Sequence, residues 1–314
     1  MGLATQEPIA RPGTRSELMR PFRTLVSDVR ARLRTDVETP GFRRLRAGNL
    51  LGAGRLSGGS GPVVSLTTFG DRTRWSYLAI QSIARGSLTP ARTILWLDEP
   101  DAFRTLPRSL RRLRRRGLEV RLAENFGPHT KYFPFVEETA EFTGPLVTAD
   151  DDTIYPRSWL ARLVDEHHLT PDLIVCYRAR RVTFDGADLA PYAVWDFSTG
   201  SEPSWAHFMT AVSGVIHPVE MLRSLKARGR EFRELCPDAD DVWMHNTSIK
   251  AGIRIRLIDG FSRTFPLVEE TQEQALWYSN LTGGANDRQI AATYDDSEIA
   301  LLRRETSAID SADG

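Results

Sequence analysis

The chain is poor in lysine. Of its 314 residues, 41 are basic, yet only Lys131, Lys226 and Lys250 are lysines. The 41 acidic residues cancel the arginine-rich total to a formal net charge of zero. Proteins that work on the phosphate backbone of nucleic acid usually carry a clear basic excess, so neutrality argues against that class. Cysteine is scarce as well. Cys176 and Cys236 stand far apart with no CxxC or Cys/His spacing, which excludes a disulfide framework and a zinc site read from sequence. No window approaches the ~18 apolar residues of a membrane span, and the N-terminus lacks the charged-then-apolar pattern of a secretory signal. Gln6 stands where a myristoylation signal wants Ser or Thr. A reducing, cytoplasmic setting fits these absences.

What is present suffices for one large domain with an extension. Residues 1–61 read as an N-terminal extension. Within it Leu18, Phe22, Leu25, Val26, Val29 and Leu33 recur at helical spacing among arginines. The pattern predicts a basic amphipathic helix over 17–34, packed on the main domain or on a second copy in a homo-oligomer. The alternative is peripheral contact with the inner face of the cell membrane, the helix lying on its anionic surface. Glycines and serines over 52–61 predict a linker. The main domain runs from 62 to 295, and 296–314 is a tail.

From Val63 onward strands and helices alternate. Strands are expected at 63–69, 92–99, 118–124, 145–152, 172–182, 210–218 and 253–259, with helices at 75–84, 106–116, 132–142, 157–168, 219–228 and 240–252. That order implies an α/β fold, an open, mostly parallel twisted sheet with helices on both faces. The tryptophan- and glycine-bearing segment 192–205 breaks the alternation and reads as a long loop or substrate lid. The arginine run at 111–117 falls on a helix whose buried stripe is Leu106, Leu110 and Leu113, so it is a solvated face.

Three adjacent aspartates, Asp150, Asp151 and Asp152, follow the short apolar run Leu146–Val147. Like charges so close are tolerable if a hard divalent cation, Mn²⁺ or Mg²⁺, sits among them. On an extended chain residues two apart share a side, so Asp150 and Asp152 would face one ion while Asp151 points away. In open α/β sheets ligands bind beyond the carboxyl ends of the strands, which is where these acids stand.

The ordered set VVSLTTFGDR, AIQSIARGSLTPARTILWLDE, RGLEV, TKYFP, VTADDDTIYP and ADDVWMHN resembles bacterial glycosyltransferases of the GT-A fold. More narrowly, it is similar to the inverting, family-two-like group that builds cell-surface polysaccharides. The resemblance spans about 63–290. It implies a nucleotide-diphosphate sugar donor and a glycan or lipid-linked acceptor. Thr67, Thr68, Phe69 and Arg72 would hold base and ribose, with Asp98 also facing the nucleotide and Lys131 approaching the phosphates. Asp150 would touch the ribose or a metal-bound water, and Asp152 would coordinate the metal. The acidic pair Asp240 and Asp241 would supply the catalytic base, with Asp241 favoured and an N-cap role as the alternative for either. Gly214 would leave room for a sugar beside His217, for which a strand-end role is the alternative. Asn286 and Asp287 would close over the donor or cap a helix. Among the tryptophans, Trp205 in the long loop is the candidate to stack on a sugar.

Two rivals share parts of this pattern. A nucleotidyltransferase also uses an α/β sheet and a metal, but a glycine-rich loop after the first strand is missing. A catalytically silent scaffold would bind a partner or lipid and find its acidic clusters dispensable.

Overall fold

The computed structural model describes residues 41–274 and 284–312. The helix expected over 17–34 lies outside them. The first element is α1 (Phe42–Leu51), ended by Gly52 in the left-handed conformation, φ 73°, whose amide donates to the Gly48 carbonyl. Residues 52–61 do not hang free. Gly58 and Gly59 donate to the Ala91 and Pro90 carbonyls at 2.9 and 3.0 Å, and Ser57 Oγ donates to the Gly117 carbonyl at 2.6 Å. A Cβ on Gly54 would lie 2.1 Å from the Ala84 oxygen. Glycine there serves close backbone approach.

The alternation follows as β1 (Gly61–Thr67), α2 (Tyr77–Ile83), β2 (Pro90–Leu97), α3 (Pro100–Arg104), α4 (Arg108–Arg114) and β3 (Leu118–Leu122). Then come α5 (Phe133–Glu138), β4 (Leu146–Thr148), α6 (Trp159–Leu169) and β5 (Ile174–Cys176). The helix expected over 106–116 begins only after Pro107, because the residue before a proline is driven out of helical conformation. Its stripe of Leu106, Leu110 and Leu113 is buried as expected, with the arginines outside.

After β5 the chain departs from simple alternation. The strand expected over 172–182 is two, because β6 (Ala179–Arg181) leaves the sheet. A hairpin of β7 (Phe184–Asp185) and β8 (Asp188–Leu189) follows, and β9 (His207–Met209) then returns antiparallel to β6. The expected lid, 192–205, is fastened along its length. Trp195 is buried, Gly200 donates to the Gly260 carbonyl at 2.8 Å, and Ser204 donates to the Ile255 carbonyl at 3.0 Å. Next come β10 (Val215–His217), α7 (Val219–Arg228), α8 (Phe232–Leu235), α9 (Asp240–Lys250) and β11 (Ile255–Leu257). The described chain closes with α10 (Ala285–Thr293) and α11 (Asp296–Ala312). The expected tail is thus helical, and Asp295 caps it by accepting the Ser297 and Glu298 amides at 3.0 Å.

The main sheet has seven strands in the order β11-β5-β10-β4-β1-β2-β3. All run parallel except β10, which is antiparallel to both neighbours. Alternate residues of the strands bury opposite faces. Ile94, Trp96, Leu146 and Ile174 pack beneath α5, α7, α9 and α10. Val64, Leu95, Val147 and Val175 pack beneath α2, α4 and α6. A small third cluster joins Leu45 of α1 to Leu78, Ile154 and Val268. No helix among the described residues is long and apolar enough to cross a membrane.

Candidate functional site: a buried acidic cleft at the strand ends

The strand β4 stops at Thr148, so the three aspartates are not extended, and Asp151 and Asp152 form a turn. Same-side alternation therefore does not apply, and the expected pairing of Asp150 with Asp152 gives way to another. Asp150 Oδ1 meets Lys131 Nζ at 2.6 Å. Asp151 and Asp152 share Arg72 instead. Its Nε donates to Asp151 Oδ2 at 3.2 Å, while its Nη2 engages Asp151 Oδ1 and lies 3.0 Å from Asp152 Oδ2. Thr68 Oγ1 adds a bond of 2.5 Å to Asp151 Oδ2. Asp151 thus anchors Arg72 to the end of β1. The turn is held from outside by Val268, which donates to the Asp152 carbonyl at 2.7 Å, and by Tyr155, whose hydroxyl accepts the Asp150 amide at 2.7 Å. Burial opposes the charge on Arg72, but Asp151 and then Asp152 outweigh it and keep the guanidinium firmly protonated.

Lys131 ends a short 3-10 turn, Gly127–Lys131. Ser65 Oγ donates to the Lys131 carbonyl at 2.7 Å and accepts from Trp96 Nε1 at 3.0 Å, so β1 and β2 both position that backbone. His129, fully buried, ties the same turn to the loop before α9. Its Nε2 lies 2.7 Å from the Cys236 carbonyl, and its Nδ1 lies 2.9 Å from the Tyr132 hydroxyl. The carbonyl can only accept, so Nε2 carries the proton and Nδ1 takes the tyrosine's. Thereby the Lys131 ammonium reaches a second acid, 3.3 Å from Asp240 Oδ2. Burial works against the ammonium, yet Asp150, Asp240 and Asp241 together hold its pKa well above the usual lysine value.

Asp240 and Asp241 open α9, but neither serves as its N-cap. Ala239 occupies the cap position, and no side chain bonds the free amides there. Asp241 Oδ1 instead accepts the Ala211 amide at 2.8 Å. The residue is only half-buried at its surface, so solvent reaches it, but enough protein surrounds the carboxylate for desolvation to dominate. Burial, followed by the charge of Asp240, pushes its pKa up to about 8, against the pull of Lys131 and the Ala211 amide.

Five carboxyl groups therefore face two cations in one cleft, so acids outnumber cations by three. Asp240 Oδ2 is buried and makes no hydrogen bond besides its ion pair with Lys131. Among the described residues no three carboxylate, imidazole or thiol groups converge into a metal cage. Mg²⁺ and Mn²⁺ do not need one, because one or two carboxylates with waters and substrate phosphates suffice. Asp150 and Asp152 are hard oxygen donors of the kind that mode uses, but each already faces a different cation, Lys131 and Arg72.

The other expected residues divide. Thr67 Oγ1 donates to the Trp96 carbonyl at 3.3 Å at the end of β1, and Phe69 is 37% exposed beside the Arg72 guanidinium. Asp98 follows β2, with a buried Oδ1 that has no hydrogen-bond partner, and burial raises its pKa. These gather with the acids at the carboxyl ends of β1, β2 and β4. Gly214 does not leave space for a ligand. It adopts φ 96°, and an added Cβ would lie 2.6 Å from the Trp159 indole, which fills that space and donates to the Ser213 carbonyl at 2.8 Å. His217 ends β10, as its alternative role expects, with Nε2 3.1 Å from Thr148 Oγ1, and burial, helped by Lys131, pushes its pKa down to about 3. It is a neutral core histidine. Trp205 donates to the Ile253 carbonyl at 2.8 Å and lies under the Arg254 guanidinium, so its ring packs the domain. Asp287 Oδ1 accepts the Tyr192 amide at 2.7 Å, tying α10 to the 192–205 segment. Asn286 beside it is buried, with an Oδ1 that has no partner.

Sequence reasoning passed over Ser65, His129, Tyr155 and Tyr192. The Tyr192 phenol, whose pKa burial raises, stands in the field of both Arg180 and Asp241. Ser65, His129 and Tyr192 sit in no local pattern that marks them, because each acts across tens of residues, whereas Tyr155 acts only five residues from Asp150.

No known family profile matches this chain, and no curated protein matches it. Among solved structures, S. aureus TarS 1–349 aligns with 78% of this chain and 70% of its own, at 13% identity and a TM-score of 0.44. GalNAc-T7 with UDP, GalNAc and Mn²⁺ aligns with 67% of this chain and 44% of its own, at 13% identity and a TM-score of 0.42. The chain itself is an α/β protein whose mostly parallel sheet gathers its acids at one edge of strand ends.

Proposed function

We propose that the chain is a glycosyltransferase of the GT-A type. It moves a sugar from a nucleotide-diphosphate donor to a hydroxyl of a glycan or lipid-linked acceptor, with inversion. The observation that carries the reading is Lys131, which lies 2.6 Å from Asp150 and 3.3 Å from Asp240 and so joins two acidic motifs remote in sequence into one cleft.

In this reading the nucleotide lies over the ends of β1 and β2, where Phe69 offers a stacking face and Thr67, Thr68 and Asp98 offer polar contacts. Arg72 and Lys131 face the diphosphate. A Mn²⁺ or Mg²⁺ ion on Asp150 and Asp152 would stabilise the charge growing on the departing diphosphate. Asp241 removes the proton from the acceptor hydroxyl. That oxygen bonds to the anomeric carbon as the bond from this carbon to the diphosphate oxygen breaks, and the diphosphate leaves with the electron pair. The Ala211 amide fixes Asp241 Oδ1, which leaves Oδ2 to take the proton. A carboxylate whose proton affinity is raised is a stronger base than an ordinary one.

Calorimetric titration with a panel of nucleoside diphosphates, with and without Mn²⁺, tests the reading. Metal-dependent binding of one diphosphate is expected, weakened at least tenfold in Asp152→Ala. Binding of none, or binding indifferent to both metal and substitution, would show it to be wrong.

A further inference from the structure

The face formed by α1 and α4 plays no part in that reaction. α1 packs beside α4, with Asn49 donating to the Ser109 carbonyl at 3.2 Å and accepting from Arg112 Nε at 2.9 Å. Its inward residues are Leu45, Gly48 and Asn49, so Arg43, Arg44, Leu50 and Leu51 point to solvent. Leu50 is 65% exposed, and Leu51, at 84%, is the most exposed large apolar side chain among the described residues. Beside them α4 and its end expose Arg108, Arg111, Arg114 and Arg115. Arg46, on the same helix, faces Glu270, and Arg92, Arg104 and Arg121 elsewhere each face a carboxylate. Arg43, Arg44, Arg108, Arg111, Arg114 and Arg115 have no acidic partner among the described residues. Where α1 and α4 end, a hollow of about 480 Å³ opens, lined by Gly52, Gly54, Arg55, Ser57, Arg115 and Arg116. Arg116 is committed to the Gln81 side chain and the Gly54 carbonyl, at 2.7 and 2.9 Å. Arg55 and Arg115 remain exposed and without an acid.

We propose that this face docks on an anionic lipid bilayer. Leu50 and Leu51 enter the headgroup region, and the hollow beside Arg55 and Arg115 receives a lipid phosphate. A nucleic acid or another polyanion would use the arginines but has no place for two exposed leucines, whereas a bilayer interface uses both. On α1 the buried Leu45 packs toward Leu78, Ile154 and Val268, while the leucine pair at its C-terminal end faces out.

Co-sedimentation of the full chain with phosphatidylcholine vesicles, with and without phosphatidylglycerol, tests this. Binding is expected only with phosphatidylglycerol and should be lost in high salt, where the screening length shrinks to a few ångströms. Leu50→Ser combined with Leu51→Ser keeps every charge and should weaken binding about tenfold. Arg111→Ser combined with Arg115→Ser should weaken it by a factor of roughly five or more per arginine. All four positions are exposed and outside the cleft, so melting temperature and nucleotide titrations should stay at wild-type values. The test therefore stands apart from the test of the reaction. Three outcomes would overturn the proposal: no binding that depends on phosphatidylglycerol, binding lost with the arginines but untouched by the leucines, or binding indifferent to both pairs. The second would mark a surface for polyanions, checked with duplex DNA, and the third would place the contact on another segment.

Discussion

Replacing Asp241 by asparagine should make the protein inactive and more stable, by an amount that grows with pH. Burial beside Asp240 pushes the Asp241 pKa up to about 8, against about 3.9 for an unperturbed aspartate. The unfolded chain releases this proton near pH 4, while the folded chain keeps it until near pH 8. Across that window the folded state binds more protons, so wild-type stability falls as pH rises and stops falling above the folded value. At about 1.4 kcal/mol per unit, three units of window at pH 7 correspond to roughly 4 kcal/mol. Partial solvent contact and relaxation around the carboxylate reduce this to about 2 kcal/mol. Asparagine keeps the shape and an oxygen for the Ala211 amide, but carries no charge. With a chelator present, the two proteins should melt together near pH 4, and the variant should melt some 4–8 °C higher near pH 8. Transfer should fall by a factor of about 10² to 10⁴, and wild-type kcat/KM should rise with pH toward the folded pKa. A melting offset that does not change with pH, or a wild type more stable than the variant at pH 8, would refute the electrostatic argument. Near-normal turnover would remove Asp241 as the base.

Three further substitutions probe the surroundings. Gly214→Ala should cost at least about 3 kcal/mol in denaturant unfolding, since it combines a left-handed backbone with a Cβ 2.6 Å from the Trp159 ring; a cost below about 1 kcal/mol would contradict the packing. Arg72→Gln strips Asp151 and Asp152 of their shared cation. It should destabilise by roughly 3 kcal/mol and weaken diphosphate binding at least tenfold, while wild-type behaviour in both measurements would exclude the role. Trp205→Phe loses the bond to the Ile253 carbonyl, worth about 1 kcal/mol, and should leave KM for the acceptor unchanged. A large rise in that KM would restore the tryptophan to the sugar site.

Much of the sheet was legible because strand and helix periods are local. The runs around Val64, Leu95 and Val147 alternate with amphipathic helices, and parallel pairing follows from the crossovers they require. What escaped depends on contacts between distant segments. The direction of β10 is set by how the chain returns after β9, which no local pattern encodes. The apolar and β-branched neighbours of the aspartates predict a strand, yet three adjacent charges separate more readily in a turn, which sends Asp150 to Lys131 and lets Asp151 and Asp152 share Arg72. Gly214 is expected to leave room for a sugar, and His217 either to face it or to end a strand, which is where it lies. Here a buried tryptophan needed the space beside one, and a threonine hydroxyl took the other. Lys131 is legible only through the resemblance of TKYFP, since nothing in its local pattern marks the two acids it joins.

Lys131 has a consequence for the order of events. One ammonium restrains acids on opposite banks of the cleft, and it is among the groups that hold down the proton affinity of Asp241. An anion that draws this ammonium to its own side removes that restraint and raises the proton affinity of Asp241 further. An anion that arrives with its own positive charge does not. In the proposed reaction, the base on one bank would be armed or disarmed by the charge balance of whatever occupies the other, an interlock made from a single side chain.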